Sequence, residues 1–267
     1  MKTILIVCVN YNSYDALWNY LQSIADACQK CNDFSIEIKI ADNSSKPKVV
    51  DFQILNLNIA LYKFSNLGYF GAAFQIINSL SDVSGFDYVF ITNVDVILPD
   101  NFFTKLSNVS LNDNVGWIAP NIISLTTNKR YNPYIVERYS KLKIELIELM
   151  YRFPFVHKIY NRTIHQWKKN KRTAICNNME IYAGHGSFFI LTRAFFLDYK
   201  PLTYPVFLFG EEIFIAETIK EKKLKVVYVP SLLVYDKDHV STKHMSNKSH
   251  YKAFLESIQF IKNRYYR

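Results

Sequence analysis

Residues 3–13 read Thr-Ile-Leu-Ile-Val-Cys-Val-Asn-Tyr-Asn-Ser, a continuous apolar run that stops at a polar turn. Such an uninterrupted run is typical of a strand that is buried on both faces in a parallel sheet. After the turn, apolar side chains recur at helical spacing through about residue 31, at Leu17, Leu21, Ile24 and Cys28. The chain is therefore expected to begin with a strand, a polar loop and a helix.

The same alternation continues over the first hundred residues. An alternating segment at 35–41 predicts a second strand, and further strands are predicted at 59–64 and 87–92. A helix is predicted at 71–80, with Ala72, Ala73, Ile76 and Leu80 facing inward. Alternating strands and helices predict an α/β fold with an open, mostly parallel sheet flanked by helices, in which the crossovers are right-handed.

Polar loops follow three of these strands, at residues 10–13, 42–45 and 93–95. Ligands of open α/β sheets bind outside the carboxyl ends of the strands. The three loops are therefore the first candidates for a binding site.

The sequence changes character beyond Pro120. Residues 129–172 are rich in lysine, arginine and aromatic side chains and include an amphipathic stretch at 140–153, which we interpret as a helical basic insertion. Regular patterning returns with an apolar segment at 182–191, a helix at 211–223 and a strand at 225–229. We expect a single domain over residues 1–267, with a first half (1–100) that carries the three polar loops, a second half (101–242) that carries the insertion, and a C-terminal helix (243–267).

Charge and composition restrict the partners. The 267 residues include 32 Lys and Arg against 23 Asp and Glu, a formal net charge of +9, and 16% are aromatic. The charge favours an anionic partner such as nucleic acid, a phosphorylated sugar donor or anionic lipid, while the aromatic content favours carbohydrate or membrane-interface contact. No run of 18 apolar residues occurs and the apolar start is too short for a signal segment, so we expect a cytoplasmic protein.

The sequence Asn93-Val-Asp95 is a candidate metal site. A carboxylate at the end of a strand can bind Mg²⁺ or Mn²⁺, because hard cations prefer oxygen ligands and keep positions open for substrate phosphates. Asp95 would be the ligand and Asn93 a polar neighbour. The alternative is that Asp95 only caps a turn.

Five motifs in one order resemble family 2 glycosyltransferases of the GT-A fold, including rhamnosyltransferase-like members, over residues 3 to about 242. They are Val9-Asn-Tyr-Asn12, Asp42-Asn-Ser-Ser45, Asn66-Leu-Gly-Tyr-Phe-Gly-Ala-Ala73, Asn93-Val-Asp95 and Phe209-Gly-Glu-Glu212. The resemblance implies an inverting, metal-dependent transfer of a hexosyl or deoxyhexosyl group from a nucleoside-diphosphate sugar to an acceptor hydroxyl, in assembly of a bacterial surface polysaccharide such as O-antigen or capsule. The family usually has Asp-x-Asp at the metal site, and this chain has Asn93 in the first place.

The resemblance also makes residues 1–100 the nucleotide-binding half, which holds the donor site, and residues 101–242 the acceptor-binding half. It places Asn10 and Asn12 near the nucleotide and Asp42 on the base, where a carboxylate can accept from the N3–H of uracil or thymine, so that UDP or dTDP is favoured. An Asx-turn with Ser44 is the alternative for Asp42. The remaining donor-site residues are Asn66, Gly68, Gly71 and Asn93.

The second half of the chain supplies the candidates for the chemistry. In the resembling family the second acid of the motif at a helix start is the general base, which here is Glu212, with Glu211 as its partner. His185 would touch the acceptor or the donor sugar, with a structural role as the alternative. The third metal ligand is left open between His239 and Asp236, since either can follow the last strand and bind a metal ion.

The sequence leaves two alternative functions open and also predicts a membrane-contacting surface. A nucleotidyltransferase acting on sugar phosphates would also use an α/β sheet and a metal, but it normally has a basic glycine-rich loop after the first strand. A non-enzymatic RNA-binding protein would suit the charge, yet no RNP-like strand is present and we expect no nucleic-acid partner. Residues 140–172 are expected to contact the inner face of the cell membrane, where a polyprenyl-linked saccharide acceptor would reside.

Overall fold

The computed structural model describes residues 1–50, 52, 57–153, 177–237 and 246–267. The predicted alternation over the first hundred residues is confirmed. Its strands are β1 (Lys2–Asn10), β2 (Phe34–Asp42), β3 (Asn58–Lys63), β4 (Tyr88–Asn93) and β5 (Val96–Ile97), and its helices are α1 (Tyr14–Cys28) and α2 (Tyr69–Ile77). Helix α2 ends before residue 80, because the side chain of Asn78 leaves the helix to bond with Tyr199 and the carbonyl of Leu202.

The second half adds four strands and five helices within the described residues. They are α3 (Phe102–Ser107), β6 (Val115–Ser124), α4 (Lys141–Arg152), β7 (Met179–Ile181), β8 (Phe188–Thr192), α5 (Arg193–Phe196), α6 (Glu211–Glu221), β9 (Lys225–Asp236) and α7 (Asn247–Tyr265).

One central sheet joins both halves, in the order β3-β2-β1-β4-β8-β6-β9-β5, with β7 also paired to β9. Strands β3, β2, β1 and β4 are parallel. Strand β8 inserts antiparallel between β4 and β6, while β6 and β9 are parallel to each other. The predicted open sheet flanked by helices is confirmed. Among the described strands, every antiparallel pair includes a strand of the second half: β4 with β8, β6 with β8, β5 with β9 and β7 with β9.

The sheet is buried on both faces, as the apolar run of β1 predicts. Leu5 and Val7 enter one hydrophobic core, and Ile4 and Ile6 enter the other. All four side chains are fully buried. Because successive side chains of a strand point to opposite faces, helices must cover both sides of this sheet.

Strand β9 is longer than predicted. The predicted end at residue 229 is wrong, because the strand runs on to Asp236. Its register with β6 shifts between the Pro120–Val229 and Asn121–Leu233 pairs. Pro230 has no N–H to donate to the ladder, so a bulge interrupts the pairing and the strand resumes beyond it. The continuation carries Asp236 to the carboxyl end of the sheet.

The start of the predicted insertion belongs to the sheet region. Residues 129–136 are not peripheral, because Arg130 bridges to Ile123 and Ile135 bridges to Ala183. The helical part is confirmed as α4, which is capped by the Ser140 side chain accepting from the backbone N–H of Lys143. Residues 154–172 of the insertion lie outside the described residues.

Helix α4 packs on the C-terminal helix α7. The contact contains a polar network in which the buried Glu148 pairs with Lys262 at 2.8 Å and with Arg152 at 2.7 Å. Helix α7 begins at residue 247, later than the predicted 243, where Ser246 caps it. Among the helices that the structure describes, none has the length and apolar content needed to cross a bilayer.

Candidate active site

A cavity of about 550 Å³ opens at the carboxyl ends of the parallel strands. Its lining combines the ends of β1, β4 and β9, Asn43 just after β2, and the turn at the start of α2. The loops at 131–134 and 185–187, the segment at 207–212 and helix α7 complete it. Of the predicted site residues, the lining includes Asn66, Gly68, Asn93, Asp95, His185, Glu211, Glu212 and Asp236.

The ends of β1 and β2 form a polar network beside the cavity. The amide of Asn10 donates to Asp42 Oδ1 at 3.0 Å and to Ser44 Oγ at 3.1 Å, and Tyr14 donates to Asp42 Oδ2 at 2.7 Å. The backbone N–H of Ser44 donates to Asp42 Oδ1 at 3.2 Å, which is the Asx-turn considered as an alternative. Asn10 and Asp42 are buried in this network, and the cavity is lined here by Tyr11 and Asn43.

Asn43 connects β2 to the turn that starts α2. Its Nδ2 donates to the carbonyl of Gly68 at 2.9 Å, and its Oδ1 accepts from the N–H of Leu67 at 3.1 Å. Gly68 has φ of +77°, and a Cβ there would collide with the backbone carbonyl oxygen of Phe207. Only glycine combines that dihedral with so close an approach. The turn at 66–68 and the loop at 207–209 are therefore packed backbone to backbone at the edge of the cavity.

Two carboxylates meet at the carboxyl ends of β4 and β9. Asp236 pairs with Val96, and the N–H of Lys237 donates to the carbonyl of Asp95 at 2.8 Å. Asp95 and Asp236 are each 3% exposed, and both line the cavity beside Asn93. Within the described ranges, no group of three or more His, Cys, Asp or Glu side chains is arranged to hold a metal ion.

Glu211 and Glu212 begin α6, directly after Gly210, which has a left-handed φ of +84°. Glu211 is buried, whereas Glu212 is half-buried, and a Cβ on Gly186 would lie 2.6 Å from Glu212 Oε1. Burial and then the charge of Glu212 raise the pKa of Glu211. Burial also raises the pKa of Glu212, while backbone hydrogen bonds from its own N–H and from Gly186 oppose the shift.

His185 is held in an aromatic cluster. Its ring stacks on Tyr131, with centroids 4.5 Å apart and an interplanar angle of 18°, and meets Tyr134 edge to face at 5.3 Å. Its Nδ1 lies 3.0 Å from Ser187 Oγ. The structure brings His185 into the cavity lining together with two tyrosines that sequence reasoning did not select.

The C-terminal helix also reaches the cavity, which sequence reasoning missed. His250 and Phe254 of α7 line it together with Phe209, whose ring centroid is 4.7 Å from that of His250 and 5.1 Å from that of Phe254. The available signal was the spacing of four between 250 and 254, which puts both side chains on one helix face.

Comparison with solved structures identifies the fold. The chain aligns with the crystal structure of GalNAc-T7 with UDP, GalNAc and Mn²⁺ at a TM-score of 0.57 and 13% identity, over 96% of this chain and 48% of that one. It aligns with the structure of S. aureus TarS at a TM-score of 0.54 and 10% identity, over 99% of this chain and 44% of that one. The fold is that of the GT-A glycosyltransferases.

A shorter GT-A structure agrees with the same fold. TarS 1–349, in complex with UDP-GlcNAc, matches at a TM-score of 0.53 and 11% identity, over 99% of this chain and 73% of that one. The present chain spans about half the length of GalNAc-T7 and of the longer TarS chain. No protein-family model matches the sequence, and no curated protein matches it.

Within this GT-A fold, four predicted residues stand apart from the cavity lining. Asn10 and Asp42 belong to the buried network described above. Asn12 is exposed, with Nδ2 donating to Ser45 Oγ at 3.1 Å, and Gly71 lies in the first turn of α2. His239 lies outside the described residues, so its place relative to Asp95 stays a prediction.

Proposed function

We propose that this chain is an inverting glycosyltransferase, which moves a sugar from a nucleoside-diphosphate sugar to an acceptor hydroxyl. The observation that carries the proposal is one cavity that is lined by two separate pairs of acidic side chains. Asp95 and Asp236 form a wall suited to a cation and phosphates, and Glu211 and Glu212 form a wall suited to proton transfer. A single in-line displacement needs both, because the leaving diphosphate and the attacking hydroxyl lie on opposite faces of the sugar carbon.

The donor set at Asp95 fits a divalent cation. Two carboxylates and the Asn93 amide offer the oxygen ligands that Mg²⁺ and Mn²⁺ prefer, and the cavity leaves room for phosphate oxygens. When bound, such an ion would offset negative charge that develops on the departing diphosphate. We assign Asp95 and Asp236 as protein ligands, with His239 as a further candidate. The crystal structure of GalNAc-T7, which contains Mn²⁺ together with UDP, supports a divalent cation in this fold.

We assign Glu212 as the general base. Adjacent residues of a helix point about 100° apart, so only one of the pair can face the acceptor. Glu212 is the more exposed to the cavity, whereas Glu211 is 6% exposed. The raised pKa of Glu212 suits proton abstraction, because a base whose pKa is closer to neutrality binds the transferred proton more strongly. Glu211 keeps a role in shaping the field around Glu212.

We propose that the nucleotide lies over Tyr11 and Asn43, with UDP or dTDP favoured. Asp42 is 2% exposed and does not line the cavity, so we assign it an indirect role behind Asn43. The crystal structures of GalNAc-T7 with UDP and of TarS 1–349 with UDP-GlcNAc support a pyrimidine nucleotide. The buried network of Asn10, Ser44 and Tyr14 then fixes the orientation of the carboxylate. We propose that the donor phosphates lie beside the start of α2, because the turn at Asn66 and Gly68 lines the cavity there and a helix N-terminus favours anions.

Helix α4 supports membrane contact. Of the apolar stripe predicted to face a bilayer, Leu142 is 77% exposed, and Leu146, Leu149 and Phe153 are each 44–45% exposed, while Met150 is buried. These positions repeat along one helix face, and Ile144 and Glu148 on another face are buried. We propose that the exposed face lies on an anionic membrane surface, where it would meet a polyprenyl-linked saccharide acceptor during surface-polysaccharide assembly. Vesicle flotation of the full chain, compared with the L142S/L146S/L149S variant, tests the contact, and equal binding of the two would refute it.

A donor assay tests the proposed activity. Hydrolysis and transfer are measured with UDP-, dTDP- and GDP-sugars, with and without Mn²⁺. We expect cleavage of a pyrimidine-linked donor that requires the metal. A nucleotidyltransferase would instead consume a nucleoside triphosphate and a sugar phosphate, and an RNA-binding protein would leave every donor intact while it retards RNA in a gel.

A further inference from the structure

The loop at residues 131–135 contributes an open aromatic ring to the cavity. Tyr134 lines the cavity, and its side chain is 43% exposed. Large exposed aromatic rings are costly in contact with water, and a ring at the wall of a binding cavity is a common contact surface for a ligand.

The loop holds this ring in a fixed position. The buried side chain of Asn132 donates to the carbonyl of Pro120 at 2.7 Å and accepts from the N–H of His185 at 2.8 Å. Next to Tyr134, the backbone N–H of Ile135 donates to the carbonyl of Ala183 at 3.0 Å. The loop is therefore hydrogen-bonded to β6 on one side and to the 183–185 segment on the other. Because the loop is already ordered, a ligand that binds to it loses little conformational entropy.

The neighbouring rings support Tyr134 from behind. His185 meets Tyr134 edge to face and is itself stacked on Tyr131. At an interplanar angle of 88°, the His185 ring can cover at most one face of Tyr134, and the contact fixes the tilt of the Tyr134 ring. Because Tyr134 is 43% exposed, ring surface is left on which a ligand ring can pack.

Tyr134 is also close to the proposed base. The negative charge of Glu212 is the main cause that raises the pKa of Tyr134. Gly186, which follows His185, has no side chain, and a Cβ there would meet the Glu212 carboxylate. The loop at 131–135, the 185–186 segment and Glu212 therefore border one part of the cavity.

We propose that Tyr134, supported by His185 and Tyr131, is a stacking platform for the acceptor, and that the acceptor end that it binds is a pyranose ring. The apolar C–H face of a sugar ring matches an aromatic face in size, and the ring hydroxyls extend from its rim toward Glu212. A peptide hydroxyl or a lipid phosphate offers no such face. The inference rests on the proposed glycosyl transfer and names the acceptor class for that site.

Saturation-transfer NMR tests the platform directly. The full chain with UDP and Mn²⁺ is mixed in turn with the methyl glycosides of glucose, galactose and N-acetylglucosamine, and with sorbitol, which has the hydroxyls but no ring. We expect saturation transfer to the ring C–H protons of at least one glycoside and none to sorbitol. Tyr134→Leu, which keeps apolar bulk without a π face, should weaken glycoside binding about 5- to 10-fold, whereas Tyr134→Phe should retain it.

Two controls separate this proposal from the proposed function. Tyr62→Ala removes a comparably exposed tyrosine on β3, outside the cavity lining, and should leave glycoside binding unchanged. Thermal stabilisation by UDP with Mn²⁺ should be equal in the wild type and in all three variants. A wild type that responds neither to UDP nor to dTDP would refute the proposed function. A wild type that responds to UDP but binds no glycoside, binds sorbitol equally, or is unaffected by Tyr134→Leu would overturn the platform alone.

Discussion

The two walls of the cavity are built in different ways. Most of the donor wall comes from the carboxyl ends of β1, β2, β4 and β9, where polar side chains follow an apolar run within a few residues. The acceptor wall joins the loop at 131–134 and the segments at 185–187 and 207–212 with helix α7, which are separated by tens of residues in the chain. The donor wall is also mainly polar, whereas Tyr131, Tyr134, Phe207, Phe209 and Phe254 dominate the acceptor wall. The local pattern of the sequence therefore predicts the first wall far better than the second.

The largest loss of transfer activity is expected for a substitution in the donor wall. Asp95→Ala should lower transfer by at least about 10²–10³-fold, the range found when one well-placed electrostatic stabiliser is removed. Thermal unfolding should show an intact fold. Asp100→Ala is the matched control, because Asp100 is an exposed aspartate five residues away. Near-normal transfer by the Asp95 variant would remove the proposed role of this wall.

The next largest loss of activity is expected for a substitution in the acceptor wall. Glu212→Gln should lower kcat by about 10²–10⁴-fold, the range for loss of a general base, with donor binding unchanged. Glu211→Gln should cost much less, because Glu211 is 6% exposed whereas Glu212 is half-buried and therefore the more accessible to an acceptor. If Glu211→Gln alone loses activity in that range, the assignment moves to Glu211. Small losses in both would exclude this motif as the source of the base.

The pH dependence of kcat follows from the same wall. A general base must be ionised, so activity should rise with pH through the pKa of Glu212. Because burial raises that pKa, the acid limb should lie above the ordinary glutamate value of about 4.3. The limb should disappear in Glu212→Gln and persist in Asp100→Ala. A wild-type profile that is flat from about pH 4.3 upward would contradict a buried carboxylate base.

A smaller effect is expected where the two walls touch. Asn43→Ala leaves the N–H of Leu67 and the carbonyl of Gly68 without their side-chain partner, at a cost of about 1–3 kcal/mol. The unfolding midpoint should fall by about 2–4 °C per kcal/mol, and UDP binding should weaken because the 66–68 turn loosens. Asn43→Ser, which retains part of the hydrogen bonding, should recover some of both. Unchanged stability in Asn43→Ala would show that the turn does not depend on this bridge.

The smallest effect is a gain in stability. The pKa of Glu211 is raised in the folded state, so the folded protein binds more protons than the unfolded chain between the two pKa values. The ionised Glu211 therefore destabilises the folded state most when the pH is above its folded-state pKa. This destabilisation is lost as the pH falls below that pKa. Glu211→Gln should raise the unfolding midpoint by a few degrees at pH 9 and by less at pH 5, as measured by calorimetry. A midpoint lowered at pH 9 would contradict the cause assigned to the shift.

The sequence predicts the donor wall because the determinants are local. A buried strand needs an apolar run, and a polar residue that follows it must lie at the strand end, as Asp42 and Asn93 do. Asn43 escaped notice because its role depends on a contact with Gly68, 25 positions away. The sequence predicts His185 of the acceptor wall, but Tyr134 and Phe254 escaped for the same reason as Asn43, since they reach the cavity only through the folded sheet and α7. Strand β9 was cut short at Pro230, because the sequence does not reveal that pairing resumes after a bulge.

We propose that the nucleotide and the divalent cation bind next to each other at Asp95. The most direct test is electron paramagnetic resonance of Mn²⁺ titrated into the protein with saturating UDP, in which bound ions lose the signal of the free aqueous ion. We expect the wild type and Asp100→Ala each to bind one Mn²⁺ ion per chain when UDP is present. Asp95→Ala should bind Mn²⁺ much more weakly. Uptake by Asp95→Ala at wild-type affinity, or no UDP-dependent uptake by the wild type, would contradict it.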